Sequence, residues 1–586
     1  MKSIKKLVVV CMAFLLIFPS TSFAFSGSVS ASGQELKMTD QNASQYTKEL
    51  FAFLRDVSGK QVLFGQQHAT DEGLTLRGTG NRIGSTESEV KNAVGDYPAV
   101  FGWDTNSLDG REKPGNDEPS QEQRILNTAA SMKAAHDLGG IITLSMHPDN
   151  FVTGGAYGDT TGNVVQEILP GGSKHEEFNA WLDNLAALAH ELKDDNGKHI
   201  PIIFRPFHEQ TGSWFWWGAS TTTPEQYKAI YRYTVEYLRD VKGANNFLYG
   251  FSPGAGPAGD LNRYMETYPG DDYVDIFGID NYDNKSNAGS EAWIQGVVTD
   301  LAMLVDLAEE KGKIAAFTEY GYSATGMNRT GNTLDWYTRL LNAIKEDPKA
   351  SKISYMLTWA NFGFPNNMYV PYKDIHGDLG GDHELLPDFI KFFEDDYSAF
   401  TGDIKGNVYD TGIEYTVAPH ERLMYVLSPI TGTTITDTVT LRAKVLNDDN
   451  AVVTYRVEGS DVEHEMTLAD SGYYTAKYSP TAEVNGGSVD LTVTYWSGEE
   501  KVQDEVIRLY VKASEISLYK LTFDEDINGI KSNGTWPEDG ITSDVSHVSF
   551  DGNGKLKFAV NGMSSEEWWQ ELKLELTDLS DVNLAK

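Results

Sequence analysis

"IPIIFRPFHEQTGSWFWWG", residues 200–218, opens as a strand and closes as a loop. Ile200 to Phe204 form an apolar run rich in β-branched and aromatic residues, the composition of a strand buried on both faces of a parallel sheet. Directly after it come Arg205, His208 and Glu209, and then Trp214, Trp216 and Trp217 within four residues. A glutamate in plain solvent needs no such neighbours. A strand that starts apolar and stops on charge and indole predicts a site at its C-terminal end.

The same pattern recurs along the chain. Eight runs begin apolar and end polar or aromatic: residues 61–68, 99–104, 141–147, 200–209, 246–253, 274–282, 314–322 and 353–361. Between them lie stretches such as 223–243 and 290–312, with apolar residues at i, i+3 and i+4 and a threonine or serine in front, which read as amphipathic helices. Eight strand-helix units predict an α/β fold, a (β/α)8 TIM barrel over residues 36–402, with a doubly wound open sheet as the rival. The barrel explains more, because it gathers all the polar strand ends on one rim.

Past residue 400 the period changes to two, with Asn, Asp and Gly turns at short spacing. Residues 418–513 are expected to form an all-β immunoglobulin-like sandwich. Residues 515–586 are again strand and turn, too few for an independent jelly roll, and read as a partial β-sandwich module of the carbohydrate-binding kind. Residues 1–24, with three lysines, an apolar stretch and a small-residue ending, read as a secretory signal peptide, so the expected location is extracellular. Cys11 in that leader is the one cysteine of the chain, so the mature protein has neither disulfide nor thiolate chemistry.

The 586 residues carry 48 basic against 85 acidic side chains, a net charge of −37, which argues against nucleic acid and anionic membranes as partners. A neutral or cationic partner fits better. Twelve tryptophans and 29 tyrosines in so polar a chain point to flat ligands.

On a barrel, Glu209 ends strand four and Glu319 ends strand seven, and both project into one cavity. Two facing carboxyl groups are what cleavage of a glycosidic bond requires: one protonates the leaving oxygen, the other attacks the anomeric carbon or activates water. His208 is read as a positioning residue. "HEQTG" lacks the second histidine of a zinc motif, so neither a metal nor a cofactor is expected. The three tryptophans after Glu209 read as a stacking platform for sugar rings, with one of them left for core packing. Trp359 at the end of strand eight has the same reading, and His147, Asp280 and Tyr282 also reach the cavity. "GAGPAG" (254–259) satisfies the spacing of a dinucleotide loop, but Pro257 removes an amide donor and the next strand follows too soon for a crossover helix.

With Glu209 in "RPFHEQTGSWFWWG", Glu319 in "FTEYGY" and "DNYD" at 280–283, residues 40–400 resemble glycoside hydrolase family 26, whose commonest members are endo-β-1,4-mannanases. The resemblance implies a retaining double displacement with Glu209 as acid/base and Glu319 as nucleophile. It implies that His208 and Asp280 position the acid/base region with Arg205 beside them, that Tyr282 bonds to the nucleophile, and that His147, His208, Trp214, Trp217, Tyr282 and Trp359 line the substrate subsites. The expected protein is a monomer acting on mannan, glucomannan and galactomannan. The alternatives are the same mechanism on mixed-linkage β-glucan or β-1,3-xylan, and a non-catalytic glycan-binding protein.

Overall fold

The structure is a computed structural model that describes residues 34–512, apart from 79, 255, 482, 483 and 485, together with five short strands between 530 and 574. The leader, 1–24, lies outside the described residues, as does much of 515–586.

Eight parallel strands close into a barrel: β1 (Val62–Gln67), β2 (Val100–Asp104), β3 (Ile141–Ser145), β4 (Ile202–Arg205), β5 (Phe247–Phe251), β6 (Ile276–Tyr282), β7 (Ile314–Gly321) and β8 (Tyr355–Thr358). Each lies inside one of the eight runs expected from the sequence. Pairing of Leu63 with Tyr355 and of Gln66 with Thr358 joins β8 back to β1, which rules out the open sheet.

Period-two alternation divides the side chains between two cores. Leu63, Val100, Ile203, Leu248, Ile276 and Leu357 fill the barrel, whereas their neighbours Phe64, Phe101, Phe204 and Phe277 face the surrounding helices. The interior continues downward into helix Gln45–Val57, which is capped by Ser44 and buries Leu50 and Leu54 against it. That helix plugs the N-terminal end, so the C-terminal rim is the end left open. The expected helices are also present: Thr223 forms a capping box with Gln226 at Pro224–Glu236, and Ser290 caps Glu291–Lys311. The first of these ends earlier than its periodicity suggests, in one π-helical turn, Tyr237–Val241.

Strand Gln34–Leu36 pairs with Tyr415–Val417, tying the start of the described chain to the connection that leaves the barrel. A two-sheet sandwich follows, its core built from Met424, Leu441, Val453, Leu491, Val493 and Leu509. Its first strand, Leu423–Ser428, also packs on the barrel, where Tyr425 and Leu427, with Ile430 just beyond the strand, join the outer core. There the buried Glu236 carboxylate accepts hydrogen bonds from the Tyr273 hydroxyl (2.7 Å), Lys444 Nζ (2.9 Å) and the Tyr425 hydroxyl. Farther along, Ile541–Phe550 and Asn553–Val560 pair antiparallel. Among the described residues no helix is long and apolar enough to cross a membrane.

Because Leu54 is fully buried under the barrel, Leu54→Ala is expected to cost about 3 kcal/mol in urea unfolding. A loss below about 1 kcal/mol would mean that the helix is not part of the barrel core.

Candidate active site

β4 stops at Arg205, four residues short of the strand end expected from the sequence, and Glu209 sits in the turn that follows. Phe207 and Glu209 take left-handed backbone angles, with φ of 50° and 56°. Such residues are strained by about 1 kcal/mol or more each and persist where their surroundings over-determine them. Here the Phe207 carbonyl accepts from the Tyr227 hydroxyl (3.1 Å), the His208 carbonyl from Trp217 Nε1 (2.8 Å), and Glu209 N donates to the Ser252 carbonyl (2.9 Å). Those contacts lift the Glu209 side chain over the rim.

Beneath it, Arg205 is buried and aims its guanidinium at two acids. Nη1 donates to both Asp280 oxygens, at 2.9 and 2.8 Å, and to Ser252 Oγ at 2.9 Å, while Nη2 donates to Glu319 Oε2 at 2.8 Å. The other Glu319 oxygen accepts from the Tyr282 hydroxyl. Asp280 and Glu319 are neighbours because a register shift between Ile279 and Asp280 sets them side by side across β6 and β7. Gly321 leaves room for this arrangement, since a Cβ there would come within 2.9 Å of the Tyr282 ring and 2.7 Å of the Tyr369 ring.

The two glutamates sit in unlike surroundings. Burial, and then the charges of Glu319 and Asp280, push the Glu209 carboxyl well above the ordinary range, against the opposing pull of Trp214 and Arg205. Trp214 Nε1 donates to Glu209 Oε2 at 2.8 Å. Burial also lifts Asp280, to about 7, with Arg205 opposing and Glu319 assisting.

Glu209, Glu319, His147, Trp214, Tyr282 and Trp359 line one cavity of about 550 Å3, with His208 and Asp280 at its floor. His208 is buried, and its ring stands edge-on to that of His147 with centroids 4.7 Å apart. Burial and the His147 charge press it well below the ordinary range, so it is neutral.

The platform reading fails for two of the three tryptophans. Trp214 is 52 % exposed, but Trp216 and Trp217 are buried. Trp217 stacks on Phe215 with ring centroids 4.4 Å apart, spends its indole N–H on the His208 carbonyl, and does not line the cavity. It supports the turn under Glu209 and touches no ligand space.

Several lining residues carried no signal in the sequence: Asn106, Glu112, Tyr157, Phe362 and Tyr369. Glu112 is a third carboxylate at the cavity, bonded to buried His68 Nε2 (2.8 Å) and Asn106 Nδ2 (3.1 Å). It lies in an acidic turn that reads as ordinary surface. For a metal, the one candidate group among the described residues is His208, Asp280 and Glu319, whose ligand atoms lie within 4.8 Å of one another. Both carboxylates are already bonded to the Arg205 guanidinium, so a cation would have to displace it.

The family model for glycosyl hydrolase family 26 matches residues 39–358. Over 488 residues, 80% of its length, the chain is 36% identical to a mannan endo-1,4-beta-mannosidase of Bifidobacterium adolescentis, of which it spans 46%. It is 27% identical to a mannan endo-1,4-beta-mannosidase of Bacillus subtilis, a match covering 59% of this chain and 88% of that one. Among solved structures, the catalytic domain of a Bacillus sp. JAMB-750 GH26 endo-beta-1,4-mannanase is 64% identical with a TM-score of 0.65, covering 66% of this chain and 98% of its own. A modular endo-beta-1,4-mannanase from Cellulomonas fimi is 39% identical with a TM-score of 0.72, covering 81% and 100%.

Arg205→Met leaves two buried acids with no cation between them, and should cost about 3–5 kcal/mol of stability in denaturant unfolding. Arg205→Lys restores a charge but not the fork that reaches both carboxylates, so it should recover part of the loss. Unchanged stability in Arg205→Met would show that the cation is dispensable.

Proposed function

The chain belongs to glycosyl hydrolase family 26, and from that premise we propose that it is a secreted, retaining endo-β-1,4-mannanase acting on mannan, glucomannan and galactomannan. The observation that carries this reading is one cavity with two glutamates in opposed environments, Glu209 pushed toward its protonated form and Glu319 oriented by Arg205 and Tyr282. Pairs of acids driven apart by their surroundings divide into acid and nucleophile.

In the first step a Glu319 oxygen attacks the anomeric carbon while the Glu209 proton passes to the glycosidic oxygen. The carbon–oxygen bond breaks and a glycosyl-enzyme ester forms on Glu319. In the second step Glu209, now ionised, takes a proton from water, the water oxygen attacks the same carbon, and Glu319 leaves. Arg205 and Tyr282 hold the Glu319 carboxylate for attack, and Asp280 braces Arg205. Asp280 therefore acts on both acids, on Glu319 through their shared guanidinium and on Glu209 through its charge. Trp214 and Trp359 offer ring faces to sugar C–H surfaces, as indoles do.

Support for mannan as substrate comes from the names of the relatives, and support for secretion from the apolar, lysine-led first 24 residues. The strands past residue 530 fit an appended β-rich module of the carbohydrate-binding kind.

Reducing-end release should be fastest on glucomannan and galactomannan, compared with barley glucan and xylan. Glu209→Ala and Glu319→Ala should each lose about 1,000-fold or more in kcat while unfolding like the parent chain. Near-normal hydrolysis by either variant would exclude the mechanism, and binding without new reducing ends would favour a non-catalytic glycan-binding protein.

The pH profile carries a sign. Glu209 must be protonated to act, so kcat/KM should fall as pH rises through its raised pKa, and Glu209→Gln should remove that limb.

A further inference from the structure

Asp104 ends β2 and does not reach the cavity. Its side chain is fully buried and surrounded by donors. Oδ2 accepts from His147 Nδ1 at 2.7 Å and from Ser145 Oγ at 2.6 Å, and Oδ1 accepts from the backbone N–H of Asn106 at 2.9 Å. A carboxylate met by three donors is held in its charged form. Although burial alone would raise it, these partners keep Asp104 well below the ordinary carboxylate range.

The histidine it bonds stands in the cavity wall. His147 N donates to Thr105 Oγ1 at 3.0 Å, and the ring packs against Tyr157 at 4.8 Å, His208 at 4.7 Å and Phe215 at 5.2 Å. With Nδ1 taken by Asp104, Nε2 is the ring nitrogen left for a ligand. The acids around it are Asp104, Glu112 and Glu319, while His208 on one flank is neutral and Tyr157 on the other carries no charge. Burial opposes a charge on His147, but the acids prevail and its pKa is raised. An imidazole whose Nδ1 faces a carboxylate carries its proton there, and when the ring is charged Nε2 becomes a donor as well.

We propose that Asp104 is a positioning residue for the hydrolysis: it holds His147 as an imidazolium whose Nε2–H is a fixed donor to a hydroxyl of the sugar bound between Glu209 and Glu319. The inference rests on the glycosidase reading of those two glutamates. It adds a residue that the substrate never touches and that acts wholly through a second side chain, as outer partners of site histidines do.

The test has an arm that needs no substrate. In histidine-labelled wild-type protein, two-bond 1H–15N spectra should show both His147 nitrogens protonated at about pH 7, where a free imidazole is mostly neutral. The signal is assigned by its loss in His147→Gln. A neutral His147 there, of either tautomer, would overturn the proposal, and because this arm uses the unmodified chain it stands even if Asp104 variants do not fold. In the kinetic arm, Asp104→Asn should lower kcat/KM on galactomannan by about 10- to 100-fold. The double variant Asp104→Asn, His147→Gln should be no slower than His147→Gln alone, because the two residues act as one unit. Multiplicative losses would show that Asp104 acts otherwise. If wild type cleaved no β-glycan, the glycosidase reading would fall while the His147 spectrum still reported the ion pair.

Discussion

One buried cation organises the mouth of this barrel. Arg205 leaves β4 into a pocket where Asp280 and Glu319 lie side by side, and its planar fork reaches both. Two carboxylates at such close quarters, without solvent, would repel one another and favour uptake of a proton. The guanidinium converts that repulsion into a rigid three-residue frame, and removing it would leave uncompensated buried charge. Tyr282 completes the frame from β6 by bonding the remaining Glu319 oxygen. Strand ends that diverge in sequence are thereby locked into one arrangement.

Glu209 stands above the frame and is excluded from it. Among the described residues no guanidinium nitrogen is hydrogen-bonded to it, and its side-chain partner is the Trp214 indole. The charges of Glu319 and Asp280 act on it more strongly than the opposing charge of Arg205, to which Glu319 alone of the two glutamates is bonded, and that asymmetry separates the surroundings of the two acids. The strained turn that carries Glu209 is therefore as much a part of the chemistry as the strand beneath it. Trp217, Tyr227 and the Ser252 carbonyl hold that turn from below.

Much of this was legible in the sequence because the physics involved is local. Eight apolar runs with polar ends specify parallel strands and one shared rim, and "RPFHE" and "FTEYGY" place the acids on it. What escaped reading depends on three-dimensional detail. Three indoles in four residues look alike, yet the fold exposes Trp214 and buries Trp216 and Trp217, whose N–H groups are spent on backbone carbonyls. Glu112 lies in a loop of unremarkable composition, and its place at the cavity depends on His68, 44 residues away. Asp104 reads as the polar last residue of a strand, and its bond to His147 spans 43 residues. Pairings across such distances leave no periodic trace.

The proposed double displacement requires that Glu319 be the residue that bonds to sugar. Mass spectrometry of the protein after reaction with a slow 2-fluoro-mannosyl substrate bearing a good leaving group tests this directly. A single glycosyl adduct on the peptide that contains Glu319, absent from Glu319→Ala, is the predicted result. An adduct on the Glu209 peptide, or rapid turnover with no adduct at any time point, would contradict it.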